Sequence, residues 1–255
     1  MSTGNQSMDK RIETYLKELR LGAMRGYYRK CAQRAAQEEM GYEEYLCELL
    51  ERESELRRQR RIERRLKDSG LPLEKNLKSF DLKRFPRKII QCVKTLVHGG
   101  FLERKENILA FGKPGTGKTH LLSGIAQELI RTQCRKVLSK KCSVLVQELL
   151  RAKRDLNLDK ELKKLSRYEV ILIDDIGYVQ HNREEMEVLF ILLAERYERG
   201  SVMVTSNLPF SKWERIFKDP MTTAAAIDRL VHHSIILELN VPSYRAEAAK
   251  RRLKK

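Results

Sequence analysis

The ten residues Phe111 to His120, FGKPGTGKTH, constrain the fold of this chain more than any other stretch. Gly112, Gly115, Gly117, Lys118 and Thr119 fill the pattern G-x-x-x-x-G-K-[ST] without a departure. Glycines let backbone N–H groups turn inward around phosphate oxygens. The lysine supplies a point charge for the β and γ oxygens, and the threonine hydroxyl can ligate Mg²⁺. The context agrees. Asn107 to Phe111 is a short apolar run suited to a buried strand, and Leu121, Leu122, Ile125, Ala126, Leu129 and Ile130 then recur on one helical face. Strand, loop and helix in that order aim the free N–H groups of a helix N-terminus at an anion. Gly112, Lys113, Pro114, Gly115, Thr116, Gly117, Lys118, Thr119 and His120 are therefore expected to hold the phosphates of ATP, with Thr119 on the metal.

The rest of the chain fits around that loop. Ile108–Phe111, Val137–Lys140, Val170–Asp174, Val202–Ser206 and Ile235–Leu239 are apolar runs of strand length separated by helical stretches. They predict an α/β fold, a five-stranded parallel sheet with helices on both faces. Upstream, from about Arg11 to Lys67, there is no proline and almost no strand signal. Ile12, Tyr15, Leu16 and Leu19 make one helical stripe; Tyr42, Tyr45, Leu46, Leu49 and Leu50 make a second that runs on to Leu56, Ile62 and Leu66. The expected division is a helical module over residues 1–70, a linker over 71–88 carrying two prolines, and an ATPase core over 89–255.

ATP chemistry with Mg²⁺ needs a second acidic site. The strand from Val170 ends in Asp174 and Asp175, beside the phosphate loop in such a fold. Asp174 suits the metal through water, and Asp175 suits orientation or deprotonation of the attacking water. The strand from Val202 ends at Asn207, whose amide can bond the water or the γ-phosphate; asparagine is also a common strand-ending residue. Arg229 lies just before the last strand, where it can stabilise transferring phosphoryl charge in a neighbouring subunit or simply pair with Asp228.

Taken together, GKPGTGKTHL, the IDDIGY block from Ile173 to Tyr178, TSNLPFSKW from Thr205 to Trp213, KDPMTTAAAIDRLVHHS from Lys218 to Ser234 and SYR from Ser243 to Arg245 closely resemble the IstB-like ATPases. These are AAA+ helper proteins of insertion-sequence transposition, related to the helicase loader DnaC. The resemblance spans roughly residues 75–245, and the helical N-terminal module also fits the family's layout. It implies that Gly112 to Thr119 is the Walker A loop and that Asp174 and Asp175 are the Walker B pair. Asn207 resembles the first sensor, Arg229 an arginine finger acting in trans, and Arg245 a second sensor arginine. Many AAA+ proteins carry Glu where this chain has Asp175, so slow hydrolysis is expected. Only residues 240–255 follow the last strand, too few for a full helical lid. A trans-acting finger implies an ATP-dependent homo-oligomer, and the family implies duplex DNA and a transposase as partners.

The charge agrees with a polyanionic partner. The chain carries 52 Lys and Arg against 35 Asp and Glu, a net +17 that favours nucleic acid. One cluster holds Arg57, Arg58, Arg61, Arg64 and Arg65. A second holds Lys140, Lys141, Arg151, Lys153, Arg154, Lys160, Lys163 and Lys164, and the tail from Arg245 to Lys255 is also basic. Helix-surface pairing at i,i+4 accounts for part of this density. No aromatics interleave with the cations, so sequence-neutral phosphate contact is the expected mode. The apolar runs are too short to span a membrane, and the N-terminus has no hydrophobic signal core, which points to the cytoplasm. The five cysteines form no C-x-x-C pair and read as reduced structural thiols. Two further functions share the loop: a helicase loader holding single-stranded DNA, and a small-molecule kinase, which needs a lid and an acceptor pocket that this sequence does not suggest.

Overall fold

A computed structural model of the chain describes residues 3–176, 183–209, 213 and 230–252. It divides into two compact units, Met1–Arg64 and Arg65–Lys255. In the first unit, helices α1 (Thr3–Glu18) and α2 (Gly22–Gln37) precede α3 (Tyr42–Asp68), whose long run from 42 onward contains no glycine or proline to stop it. Met24, Tyr28, Cys31 and Leu49 are buried together, with Ile12, Leu16, Leu21, Tyr27 and Tyr45 packed against them. Only part of each sequence stripe faces inward. Tyr15, Leu19, Tyr42, Leu46 and Leu50 are exposed, because α2 fills the core with its own Met24, Tyr28 and Cys31.

One buried carboxylate ties this unit together. Glu53 on α3 accepts from the backbone N–H of Ala23 at 2.8 Å and of Met24 at 3.3 Å, capping α2, and pairs with Arg57 at 2.8 Å. Burial opposes its ionisation, but Arg57 and the two N–H groups win and hold the carboxyl below the usual carboxylate range. A depressed carboxyl stabilises the fold above the unfolded-state value and ceases to do so as pH falls through the folded one. Glu53→Ala is expected to cost about 2 kcal/mol at neutral pH, from the lost cap of α2 and the lost charge-assisted bond to Arg57. Urea unfolding followed by circular dichroism should show that deficit shrinking as the pH is taken down through the acid range.

The second unit holds the sheet. Two 3₁₀ turns, Leu77–Ser79 and Leu82–Arg84, lead to α4 (Arg87–Leu96) and α5 (Gly100–Glu103). Then come β1 (Asn107–Phe111), α6 (Lys118–Gln133), β2 (Val137–Lys141), α7 (Cys142–Arg154), α8 (Leu158–Leu165), β3 (Val170–Ile176), α9 (Arg183–Arg196), β4 (Ser201–Ser206), β5 (Ser234–Glu238) and α10 (Tyr244–Arg252). The strands are parallel, in the order β2-β3-β4-β1-β5. The five-stranded parallel sheet expected from the sequence is thus present. The last strand begins one residue earlier than its apolar run and ends at Glu238, with Leu239 continuing as a buried residue whose N–H bonds Phe111 O at 2.7 Å.

Alternate residues Leu109, Ile171, Ile173, Val202 and Val204 pack with α7 and α9 residues such as Leu145, Leu149 and Leu189. Helix α6 contacts β1, β3 and β4. The segment 71–88 lies along α6: Gln127 Nε2 donates to Pro72 O at 3.0 Å and Lys75 O at 3.1 Å, and Leu77 packs on Gly124. Parallel strands deliver their carboxyl ends to one edge of the sheet, and the loops of the site begin there.

Candidate active site

Three strand ends converge. β1 runs into the glycine loop, whose Gly115 (φ 83°) and Gly117 (φ 98°) take left-handed conformations. A Cβ on Gly115 would stand 2.1 Å from Ser243 Oγ, and one on Gly117 would stand 2.8 Å from Phe80 Cε2, so neither position admits a side chain. Lys118, 8% exposed, folds back to donate to Gly112 O at 2.7 Å and Lys113 O at 3.0 Å. Burial pushes its ammonium below the usual value, with Asp175 and Asp174 opposing and Arg245 adding to the shift. Lys113 and Pro114 are exposed at the tip of the loop, and Thr116 bonds back to Lys113 O at 2.9 Å.

The acids of β3 stand beside the loop. Thr119 Oγ1 donates to Asp174 Oδ1 at 2.8 Å, and Thr205 Oγ1 donates to the same oxygen at 2.6 Å. Asp175 follows in a left-handed conformation (φ 67°), its N–H bonded to Thr205 Oγ1 at 2.7 Å. Burial and then Asp174 push the Asp175 carboxyl upward, while Lys118 and Lys141 oppose them. Asn207 leaves the end of β4, between β3 and β1 in the sheet order, and its Oδ1 is buried without a hydrogen-bond partner among the described residues.

The Thr119 hydroxyl, the Asp174 carboxylate that it bonds at 2.8 Å and the Asp175 carboxylate next in sequence are hard oxygen donors of the kind Mg²⁺ takes. The residues fit the metal.

Beyond the loop a cavity of about 560 Å³ opens between the 75–85 segment and α10. Phe80 and Phe85 stack at 5.3 Å on one side, and Tyr244 carries the Arg84 guanidinium over its ring on the other. His120 faces this segment: its Nε2 lies 2.9 Å from Asn76 O and 3.2 Å from Ser79 Oγ, with the ring edge-on to Phe80. Arg245 lines the same cavity as Lys118, because Tyr244 N–H bonds Gly115 O at 2.9 Å and draws α10 onto the loop. A single short helix thus reaches the phosphate loop. Arg229, with Gly177 and Tyr178 of the IDDIGY block, lies outside the described residues.

Sequence reading assigned nothing to Thr205, Phe80, Phe85 or Tyr244. The threonine gave no signal in its own segment, since its place beside the acids follows from a shift in how β3 pairs with β4.

The sequence profile of the IstB-like ATP binding protein family matches residues 14–252. The chain belongs to the IstB-like family. Among relatives of this IstB-like chain, an insertion sequence ATP-binding protein of Sinorhizobium fredii is 40% identical over 240 residues, covering 94% of the chain and 80% of the relative. The insertion sequence IS21 ATP-binding protein of Pseudomonas aeruginosa is 36% identical over 240 residues, covering 94% and 90%. The DnaC helicase loader superposes with a TM-score of 0.55 at 16% identity, over 65% of the IstB-like chain and 96% of DnaC. AMPPCP-bound DnaA from Aquifex aeolicus gives 0.56 at 18% identity, over 72% and 56%. The IstB-like chain therefore has the AAA+ P-loop fold.

The cationic clusters of this IstB-like chain differ in how far they are already paired. Arg57 is taken by Glu53 and Arg20 O, and Arg58 lies 3.9 Å from Glu55, whereas Arg61 and Arg64 are exposed and Arg65 is half-buried. Lys153 and Arg154 reach Glu187 and Glu184 of α9 at 2.8 and 4.0 Å. Lys140 pairs with Glu148, and Lys164 with Glu161. Even so, Lys140, Arg151, Lys160, Lys163, Lys164 and Arg167 line one cavity of about 740 Å³, six cations against Glu148, Asp155 and Glu161. Lys141 stands apart, level with Asp174 at the end of β2.

Proposed function

We propose that the chain is a Mg²⁺-dependent ATPase that assembles with further copies of itself on duplex DNA and there recruits and stimulates a transposase, hydrolysis resetting the assembly. The observation that carries this reading is the convergence of Lys118, Thr119, Asp174, Asp175 and Asn207 at one sheet edge, in a chain of an insertion-sequence ATP-binding family. Mg²⁺ bound there neutralises charge on the β and γ oxygens. Thr119 and Asp174 hold it. Lys118 turns its ammonium from the loop carbonyls to the phosphates. Asp175 orients the attacking water and takes its proton, the upward push on its carboxyl making it a stronger base. Asn207 offers its unpartnered amide to the water or the γ-phosphate. Phe80, Phe85 and Tyr244 wall the cavity with flat apolar surface suited to the adenine base. Arg245 approaches from α10, and Arg229 acts on the nucleotide of a neighbouring copy.

The cationic cavity between α7 and α8 suits sugar-phosphate backbone. Such contacts are blind to sequence and weaken steeply with salt. Sedimentation with ATP on duplex and on single-stranded DNA tests the reading, alongside Lys118→Ala and Arg229→Ala. Wild type is expected to form a large complex only with ATP and duplex, and both variants are expected to stay small or to lose turnover. A monomer under every condition, with normal hydrolysis by Arg229→Ala, overturns the finger and the assembly together. Preference for single strands would make the chain a helicase loader instead.

A further inference from the structure

We infer that Thr205 is a positioning residue of the nucleotide site, a single hydroxyl that sets the orientation of both strand-end acids and ties them to the strand carrying Asn207. The inference rests on the proposed roles of Asp174 and Asp175. Its basis is a break in the sheet. β3 and β4 pair as Ile173 with Val204 and then as Ile176 with Ser206, so Asp174 and Asp175 together oppose Thr205 alone. Two residues against one is a β-bulge, which re-aims side chains and leaves a backbone group without its ladder partner. Here that group is the Asp175 N–H, and the partner it finds is Thr205 Oγ1 at 2.7 Å.

A hydroxyl has one proton to give. Thr205, 1% exposed, gives it to Asp174 Oδ1 at 2.6 Å while its lone pair takes the Asp175 N–H. Asp174 Oδ1 also receives the Thr119 hydroxyl at 2.8 Å. Two donors on one oxygen fix the carboxylate plane. Oδ2 takes no hydrogen bond among the described residues, so it is the oxygen left to face a metal's water shell. On the other side, the bond to the Asp175 N–H supports a left-handed backbone that an aspartate does not adopt without cost. Asn207 lies two residues further along the same chain, so the segment that carries it also carries the support of both acids.

Thr205→Val keeps the shape and removes the hydroxyl; Thr205→Ser keeps the hydroxyl. Fluorescent ATP-analogue binding, measured with and without Mg²⁺, reads the effect apart from turnover. The valine protein is expected to bind the metal-free nucleotide as wild type does, but to lose the Mg²⁺-dependent gain in affinity and the turnover by about 10- to 100-fold each. Thr205→Ser should recover both. If the valine protein does not fold, Thr205→Cys, with its weak S–H donor, should fall between wild type and that loss. Wild-type behaviour of Thr205→Val or Thr205→Cys, or failure of serine to restore Mg²⁺-dependent binding, overturns the inference. Asp174→Asn separates it from its premise: if that variant keeps the full Mg²⁺-dependent gain, the role of Asp174 itself is wrong.

Discussion

Asp175→Asn is expected to lower ATP turnover by about 10²- to 10⁴-fold, the usual contribution of a positioned general base, while nucleotide binding stays close to wild type. The substitution isolates one property. Asparagine tolerates the left-handed region, so the backbone at φ 67° survives. The N–H to Thr205 Oγ1 is a main-chain bond and survives too. Lys118 loses one of the two carboxylates that raise its ammonium's pKa but keeps Asp174. What disappears is a carboxylate whose basicity is raised by burial and by Asp174. In the proposed cycle the outcome is a trapped assembly: ATP-dependent complexes on duplex DNA should form normally and then persist, because the reset is lost. Phosphate release and the lifetime of the sedimenting complex check this together. Unchanged turnover would mean that another group activates the water.

The second large effect is on stability. Arg196→Ala is expected to destabilise the second unit by about 3–5 kcal/mol, from the cavity it opens and the buried carbonyls it leaves without donors, and to lower the melting temperature by on the order of 10 °C. Arg196 is 4% exposed, and its guanidinium donates to Tyr168 O at 2.6 Å, to Glu169 O and Ser201 O at 2.9 Å each, and to Leu165 O at 3.5 Å. These carbonyls come from the turn before β3 and the start of β4, so one side chain staples the entry of two adjacent strands. Burial lowers its pKa to about 10, and the group stays charged at neutral pH. Arg196→Lys should recover only part of the loss, because an ammonium cannot reproduce the planar fork that spans these carbonyls. A thermal melt within a few degrees of wild type for Arg196→Ala would refute the staple.

These two residues mark the boundary of what the sequence discloses. The sheet was legible because its central strands β1, β3 and β4 carry short apolar runs between helical stretches, and burial on both faces demands such runs. Lys118, Thr119 and the acids of β3 were legible because phosphate and metal chemistry restricts residue type at fixed spacing. Arg196 was not, since an arginine in the last turn of a helix looks like one more surface cation until the turns that bury it are in view. Thr205 was hidden for a related reason: its partners are set by a bulge in strand pairing, and no periodicity in its own segment reports that. Phe80 and Phe85 sit in a stretch with two prolines and no sustained period, so their stacking against the loop depends wholly on tertiary packing. The cationic clusters show the opposite error of reading, in which density alone ranks Arg57 with Arg61 although Arg57 is engaged by Glu53 and Arg20 O.

The order of strands also bears on how the protein is made. β1 lies between β4 and β5, so Ile108 meets Met203 on one side and Ile235 on the other, while Val137 meets Val170 much sooner along the chain. During synthesis the glycine loop therefore emerges long before either neighbour of its own strand has been translated, and pairings of such long range close late. Asp174 precedes the Thr205 that orients it, and the helix that touches Gly115 is translated after all five strands. A nascent or truncated chain thus carries the motif without the site. In the proposed cycle, ATP therefore acts only on a copy whose β4 and α10 have already been made.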